Sequence, residues 1–254
     1  MVKIKVGIDD GKYTMQELLE IMKTLRAPGG CPWDIEQTHG SIRNDLLEEA
    51  FEVADAIDTS DDTALCEELG DLLFQVVFHS AIAEEESAFD YSDVVDGIAR
   101  KLVLRHPHVF GEAKAENSGE VLDLWDEIKK TEKHQETATE TLKSVPRAFP
   151  ALMRSAKVQK RAAKAGLELA DPVEAGLILT LSYELEEAMA KGDKQGAAGV
   201  YGEMLFHLSR VGRLIGADPE ESLNKTTDEF IGIFEEAEKK AAEKQIPISE
   251  AFGK

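Results

Sequence analysis

The chain reads as all-α, with two helical units in tandem, and three observations carry that reading. Apolar residues recur with helical spacing along nearly the whole length, and no convincing alternating strand interrupts them. A polar, Thr-rich stretch at 133–150, KHQETATETLKSVPRAFP, ends in two prolines and divides the chain near its middle. A pattern on one side of that stretch returns on the other. Leu69-Gly70-Asp71-Leu72-Leu73-Phe74 matches Tyr201-Gly202-Glu203-Met204-Leu205-Phe206 at an offset of 132, and Glu49 and Glu52 match Glu184 and Glu187 at an offset of 135. Two matches in the same order point to duplication, with the loop between them three residues shorter in the second copy. The expected domains are 1–134 and 148–254, joined by a linker at 135–147.

In the first unit, helices are expected near 14–26, 42–58, 62–87, 90–105 and 118–133. The second of these contains LLEEAFEVADAI, where Leu46, Ala50, Val53 and Ile57 fall together as a core stripe. The third contains CEELGDLLFQVVFHSAIA, apolar around most of its circumference and so expected to be largely buried. In the fifth, Trp125 has core spacing with Leu122 and Ile128. Second-unit helices are expected near 148–165, 171–191, 194–214 and 218–244.

Composition removes several function classes. With 29 Lys+Arg against 50 Asp+Glu, the formal net charge is −21, and this mean field repels a polyanion, so nucleic acid is not an expected partner. No apolar run reaches membrane-spanning length, and MVKIKVGIDDGKY lacks the apolar core of a signal peptide. The two cysteines, Cys31 and Cys66, form no CxxC pair and read as small packing residues in a reduced, cytoplasmic compartment.

The acids are not evenly spread. Glu49 and Glu52 flank the apolar stripe of their helix, and one narrow polar stripe, Glu68, Asp71, Gln75 and His79, runs down the apolar helix that follows. Carboxylates crowded against a dry surface are costly unless a cation neutralises them. Four carboxylates with no basic residue among them suit a hard divalent cation, Mg²⁺ with Mn²⁺ as a substitute. Of the seven Glu-Glu pairs in the chain, only 48–49 and 67–68 are followed by a further acid three residues after the second Glu.

EEAFE followed by EELGD resembles the signature of the MazG family of all-α nucleoside triphosphate pyrophosphohydrolases. LRAPGGCPWDIEQTH at 25–39, ARKLVLRHPHVFG at 99–111 and AENSGEVLDLWDEIKKTEK at 115–133 resemble further segments of that family. The resemblance implies that Glu49, Glu52, Glu68 and Asp71 bind Mg²⁺. It also implies hydrolysis of nucleoside triphosphates of broad base type to monophosphate and pyrophosphate, as nucleotide-pool housecleaning by a homodimer. Glu48 adjoins the cluster and is the candidate to orient the attacking water. Lys101 and Arg105, one helical turn apart, are candidate triphosphate ligands, with Lys129 a further one. Trp33 is a candidate to stack on the base, against the plainer reading that it caps the core. His106 and His108 read as structural at a helix end, and His79 as a core histidine.

In the second copy, Glu48 becomes Tyr183 and Glu68 becomes Val200, while Glu184, Glu187 and Glu203 remain. Lys225 stands for Lys101, but Glu229 stands for Arg105. This copy is expected to be catalytically degenerate. Two other classes compete with the enzyme: a di-iron bundle, disfavoured because both motifs are acid–acid rather than ExxH, and a helical metal-binding or interaction module without catalysis.

Overall fold

A computed structural model describes residues 11–132, 137–167 and 171–252, without the side chains of 123, 126, 127, 129–132 and 171–175. All regular structure among the described residues is helical. The chain divides into two compact units between Trp125 and Asp126.

Unit 1 contains α1 (Met15–Arg26), α2 (Pro32–Glu36), α3 (Arg43–Asp58), α4 (Asp62–Glu85), α5 (Tyr91–Arg105) and α6 (Pro107–Phe110), and the unit boundary falls within α7 (Ser118–Glu132). Local chemistry sets the starts. Thr14 and Glu17 form a reciprocal capping box at α1, and Asp90 and Asp93 form another at α5. Between α3 and α4 the turn is three residues long; Ser60 takes a left-handed φ of 57°, and the Asp61 side chain accepts from the Thr63 and Ala64 amides. That short connection makes α3 and α4 an antiparallel hairpin. α1, α3 and α5 each pack on α4, which makes it the centre of the unit. Met22, Ile42, Val77, Phe78 and Ile82 form the core, each no more than 3% exposed.

The loop after α1 is fastened to this core by Arg26. Its guanidinium grips the Glu85 carboxylate with Nε and Nη2 at 2.8 and 2.7 Å, donates to the Asp34 and Gln37 carbonyls, and lies over the Phe78 ring. Trp33 and His39 are thereby carried onto α4.

Unit 2 contains α8 (Ala138–Lys143), α9 (Ala151–Lys164), α10 (Asp171–Ala190), α11 (Lys194–Ile215), α12 (Pro219–Lys244) and α13 (Ile248–Ala251). α10 and α11 pack together as α3 and α4 do in unit 1, and α9 lies against α11. α11 ends at Gly216, whose φ of 75° is the left-handed conformation that favours glycine at a helix end.

The nine expected helices form within a few residues of their expected limits, and four short ones were not expected: α2, α6, α8 and α13. Helices of four to six residues show too little of a 3.6-residue period to be read that way. α8 lies inside the expected linker, where Thr137 and Glu140 form a capping box and Arg161 of α9 donates to the Thr141 carbonyl and the Ser144 hydroxyl.

Two burial expectations need correction. On α3 the buried residue is Ala56, whereas Ala50 and Ile57 of the expected stripe are exposed, Ile57 by 56%. On α4 only the second half is buried, from Gln75 onward; Leu69 and Leu73 in the first half are 49% and 39% exposed. One chain alone leaves the first half of this hairpin apolar and uncovered.

Candidate metal centre

The α3–α4 hairpin brings the two acidic motifs face to face. Because the two helices of the hairpin run in opposite directions, the Glu49–Glu52 order on α3 meets the Glu68–Asp71 order on α4 in reverse. One carboxylate oxygen from each of Glu49, Glu68 and Asp71 lies within 4.8 Å of the others. Glu52 is exposed and stands outside that tight trio, yet it hydrogen-bonds and repels both Glu49 and Glu68. Glu48, beside Glu49 on α3, is exposed and is not in the trio.

Electrostatics mark the cluster as uncompensated. The Glu49 carboxyl is pushed above the ordinary carboxylate range, first by loss of water, then by the charges of Asp71 and Glu52. Glu68 is pushed up likewise, by loss of water and then by Glu52, Glu67 and Asp71. No basic group counts among the causes of either shift. The donor set consists only of carboxylate oxygens, which is the chemistry of Mg²⁺ or Mn²⁺ and not of a thiolate or imidazole metal. The residues present therefore fit a hard divalent cation.

A stability signature follows. A carboxyl raised above its unfolded value favours folding while protonated and opposes it once ionised, so its contribution is lost as pH rises through the raised value. In EDTA, Glu68→Gln is expected to melt above wild type at neutral pH, with the gap closing toward about pH 4, near the ordinary carboxylate value. Mg²⁺ at neutral pH should stabilise wild type and reverse the order. Thermal melts with and without Mg²⁺ check both signs.

The other expected site residues are distributed around unit 1. Trp33 is 56% exposed, with its ring edge-on to Phe78 at 6.3 Å, so it is anchored on the core and still open on its outer side. Lys101 is exposed on α5. Arg105 is only 8% exposed and its guanidinium lies 5.7 Å from the Trp125 ring, so it is packed into the unit rather than extended beside Lys101. The Lys129 side chain lies outside the described residues. His106 ends α5, its Nδ1 at 2.6 Å from the Leu102 carbonyl, in the structural role expected of it. His79 is not a fully satisfied core histidine: its Nδ1 lies 2.8 Å from Nδ1 of His39, while its Nε2 is enclosed without a partner. Sequence reasoning passed over His39 and Arg26, although both lie in the quoted stretch 25–39; nothing in that stretch showed which side chains would reach α4.

The equivalent hairpin in unit 2 is wired differently. Glu187 pairs at 2.5 Å with Lys191, just past the end of its helix, which holds its carboxyl below the usual range, the opposite direction to Glu49 and Glu68. Glu203 faces His207 one turn on at 3.9 Å. Among the described residues, no metal-binding group of three forms there.

An antiparallel helical hairpin that sets carboxylates of both helices around one point is a helical framework whose acidic group could hold a metal ion. The comparisons make the family specific. The model of the MazG nucleotide pyrophosphohydrolase domain matches residues 37–110, the span of α3, α4 and α5. The nucleoside triphosphate pyrophosphohydrolase of Escherichia coli (strain K12) is 40% identical over 242 residues, covering 92% of this chain and 91% of that protein. The nucleoside triphosphate pyrophosphohydrolase/pyrophosphatase MazG of Thermotoga maritima is 37% identical over 223 residues, covering 88% and 85%. A crystal structure of a mazG-related protein from Thermotoga maritima aligns over 46% of this chain and 99% of its own, with 30% identity and a TM-score of 0.40. The chain belongs to the MazG family of nucleotide pyrophosphohydrolases.

Proposed function

We propose that this enzyme hydrolyses nucleoside triphosphates of broad base type to monophosphate and pyrophosphate, with Mg²⁺ held by Glu49, Glu52, Glu68 and Asp71 in unit 1. The observation that carries the proposal is the acidic cluster, in which Glu49 and Glu68 are raised by loss of water and by the neighbouring acids. A bound cation would bridge these acids to the triphosphate and neutralise charge developing on its oxygens.

The protein's own residues position the rest. Glu48 flanks the cluster, is not among the close trio, and is the carboxylate left to orient water. Lys101 supplies an exposed cation to the phosphates. Arg105 acts from its packed position against Trp125, with Lys129 of α7 as a further contact. Trp33 offers the outer face of its ring to the base.

Unit 2 is proposed to be a degenerate copy. The family model ends at residue 110, before that unit begins, and Val200 occupies the place of Glu68. The uncovered apolar side chains Phe51, Ile57, Leu69 and Leu73 on the α3–α4 hairpin support assembly as a homodimer. No described helix is long and apolar enough to cross a membrane, and both cysteines are free; a cytoplasmic enzyme accommodates both facts.

Phosphorus NMR on reactions with a panel of NTPs tests this reading. Monophosphate and pyrophosphate should appear together in Mg²⁺, and neither in EDTA. Diphosphate plus inorganic phosphate as products, or undiminished turnover in EDTA, would overturn it.

A further inference from the structure

The stripe on α4 does not stop at the acids. Gln75 and His79 continue it for two more turns, and both carry hydrogen-bonding capacity that nothing described uses. Gln75 is 4% exposed, its Oε1 is enclosed without a partner, and its Nε2 makes no hydrogen bond among the described residues. Nε2 is not among the enclosed unpartnered atoms, so the amide nitrogen is the end that retains contact with solvent. Natural proteins rarely leave a buried amide unpaired without a reason.

One turn further along α4, His79 meets His39: their rings stack at 5.1 Å and 10°, with Nδ1 facing Nδ1 at 2.8 Å, a contact that requires one shared proton. The remaining nitrogen of His79, Nε2, is enclosed without a partner, as Gln75 Oε1 is, so neither holds the other.

We propose that Gln75 is a further substrate-binding residue, whose amide N–H donates to the nucleoside half of the triphosphate. This rests on the reading that the four acids hold the triphosphate end. A rise of about 1.5 Å per residue puts Gln75 about 6 Å along the axis from Asp71, on the side of the acids where Trp33 rests. Trp33 lies at the same end of the helix, edge-on to Phe78.

Gln75→Met tests the proposal, because it keeps the shape of the side chain and removes the amide. Inorganic tripolyphosphate, which has the charge of the substrate and no nucleoside, serves as the competitive inhibitor. KM for an NTP should rise about tenfold, the worth of one good hydrogen bond, with kcat and the tripolyphosphate inhibition constant changed less than about twofold. The melting temperature should not fall, since no made hydrogen bond is lost. The proposal is wrong if KM and the inhibition constant rise together, or if neither moves. Should Gln75→Met fail to fold, Gln75→Asn, which withdraws the amide by one methylene, is read by the same criteria. The metal-site reading fails separately, in a Glu68→Gln enzyme with undiminished turnover.

Discussion

Glu68→Gln is expected to lower pyrophosphate release about a thousandfold, at the upper end of what single electrostatic groups contribute in preorganised sites, with helical content unchanged. Glu68 is the carboxylate of α4 that stands among acids from both helices: its oxygen is in the close trio with Glu49 and Asp71, and it also hydrogen-bonds Glu52. Gln is nearly isosteric and can still hydrogen-bond, so the backbone has no reason to move. What disappears is one negative charge at the point where four acids converge. The remaining acids would hold a divalent cation less tightly, and the charge neutralisation it would supply to the triphosphate would weaken. The same change relieves repulsion in the metal-free protein. Activity and apo stability should therefore move in opposite directions, a combination that a merely damaged fold does not produce.

Phe78→Ala is expected to cost about 3–5 kcal/mol of stability, as large-to-small core substitutions of aromatics do. Phe78 is 1% exposed and touches every part of the loop anchorage: Trp33 edge-on at 6.3 Å, Phe74 at 5.5 Å, and the Arg26 guanidinium over its ring at 5.3 Å. Its removal leaves a cavity at the junction of α1, α4 and the loop carrying α2. Against a typical total of about 5–15 kcal/mol, such a loss is close to unfolding for a marginal unit. Urea denaturation should show a lower midpoint, with the Trp33 fluorescence change preceding loss of helix.

The helices were legible because the apolar period is long and unbroken in α3, α4, α11 and α12, and because Asp, Thr and Pro mark several starts. The acidic site was legible for a related reason: spacing of three on consecutive helices dictates that the acids share a face, and the short turn after Ser60 dictates that the two faces meet. Burial was less legible. The stripe Leu46–Ile57 reads as core from its period, but a period shows only which residues share a face and not what covers it, and Ile57 remains 56% exposed. The roles of Arg26 and His39 depend on how the loop folds back onto α4, through carbonyls of Asp34 and Gln37 that any sequence would present. The packing of Arg105 on Trp125 likewise joins residues twenty apart, across a bend and two helix ends that periodicity does not describe.

The hairpin of unit 1 is proposed to perform the hydrolysis, and its copy in unit 2 is not. The direct test is pyrophosphate release from NTPs in Mg²⁺ by wild type, Glu52→Gln and Glu187→Gln, measured side by side. Glu52 lies beside two carboxyls that loss of water raises and that its own charge raises further, whereas Glu187 is neutralised by Lys191. The account predicts that Glu52→Gln is inactive and that Glu187→Gln matches wild type. An inactive Glu187→Gln beside an active Glu52→Gln would contradict it and place the catalyst in the second unit.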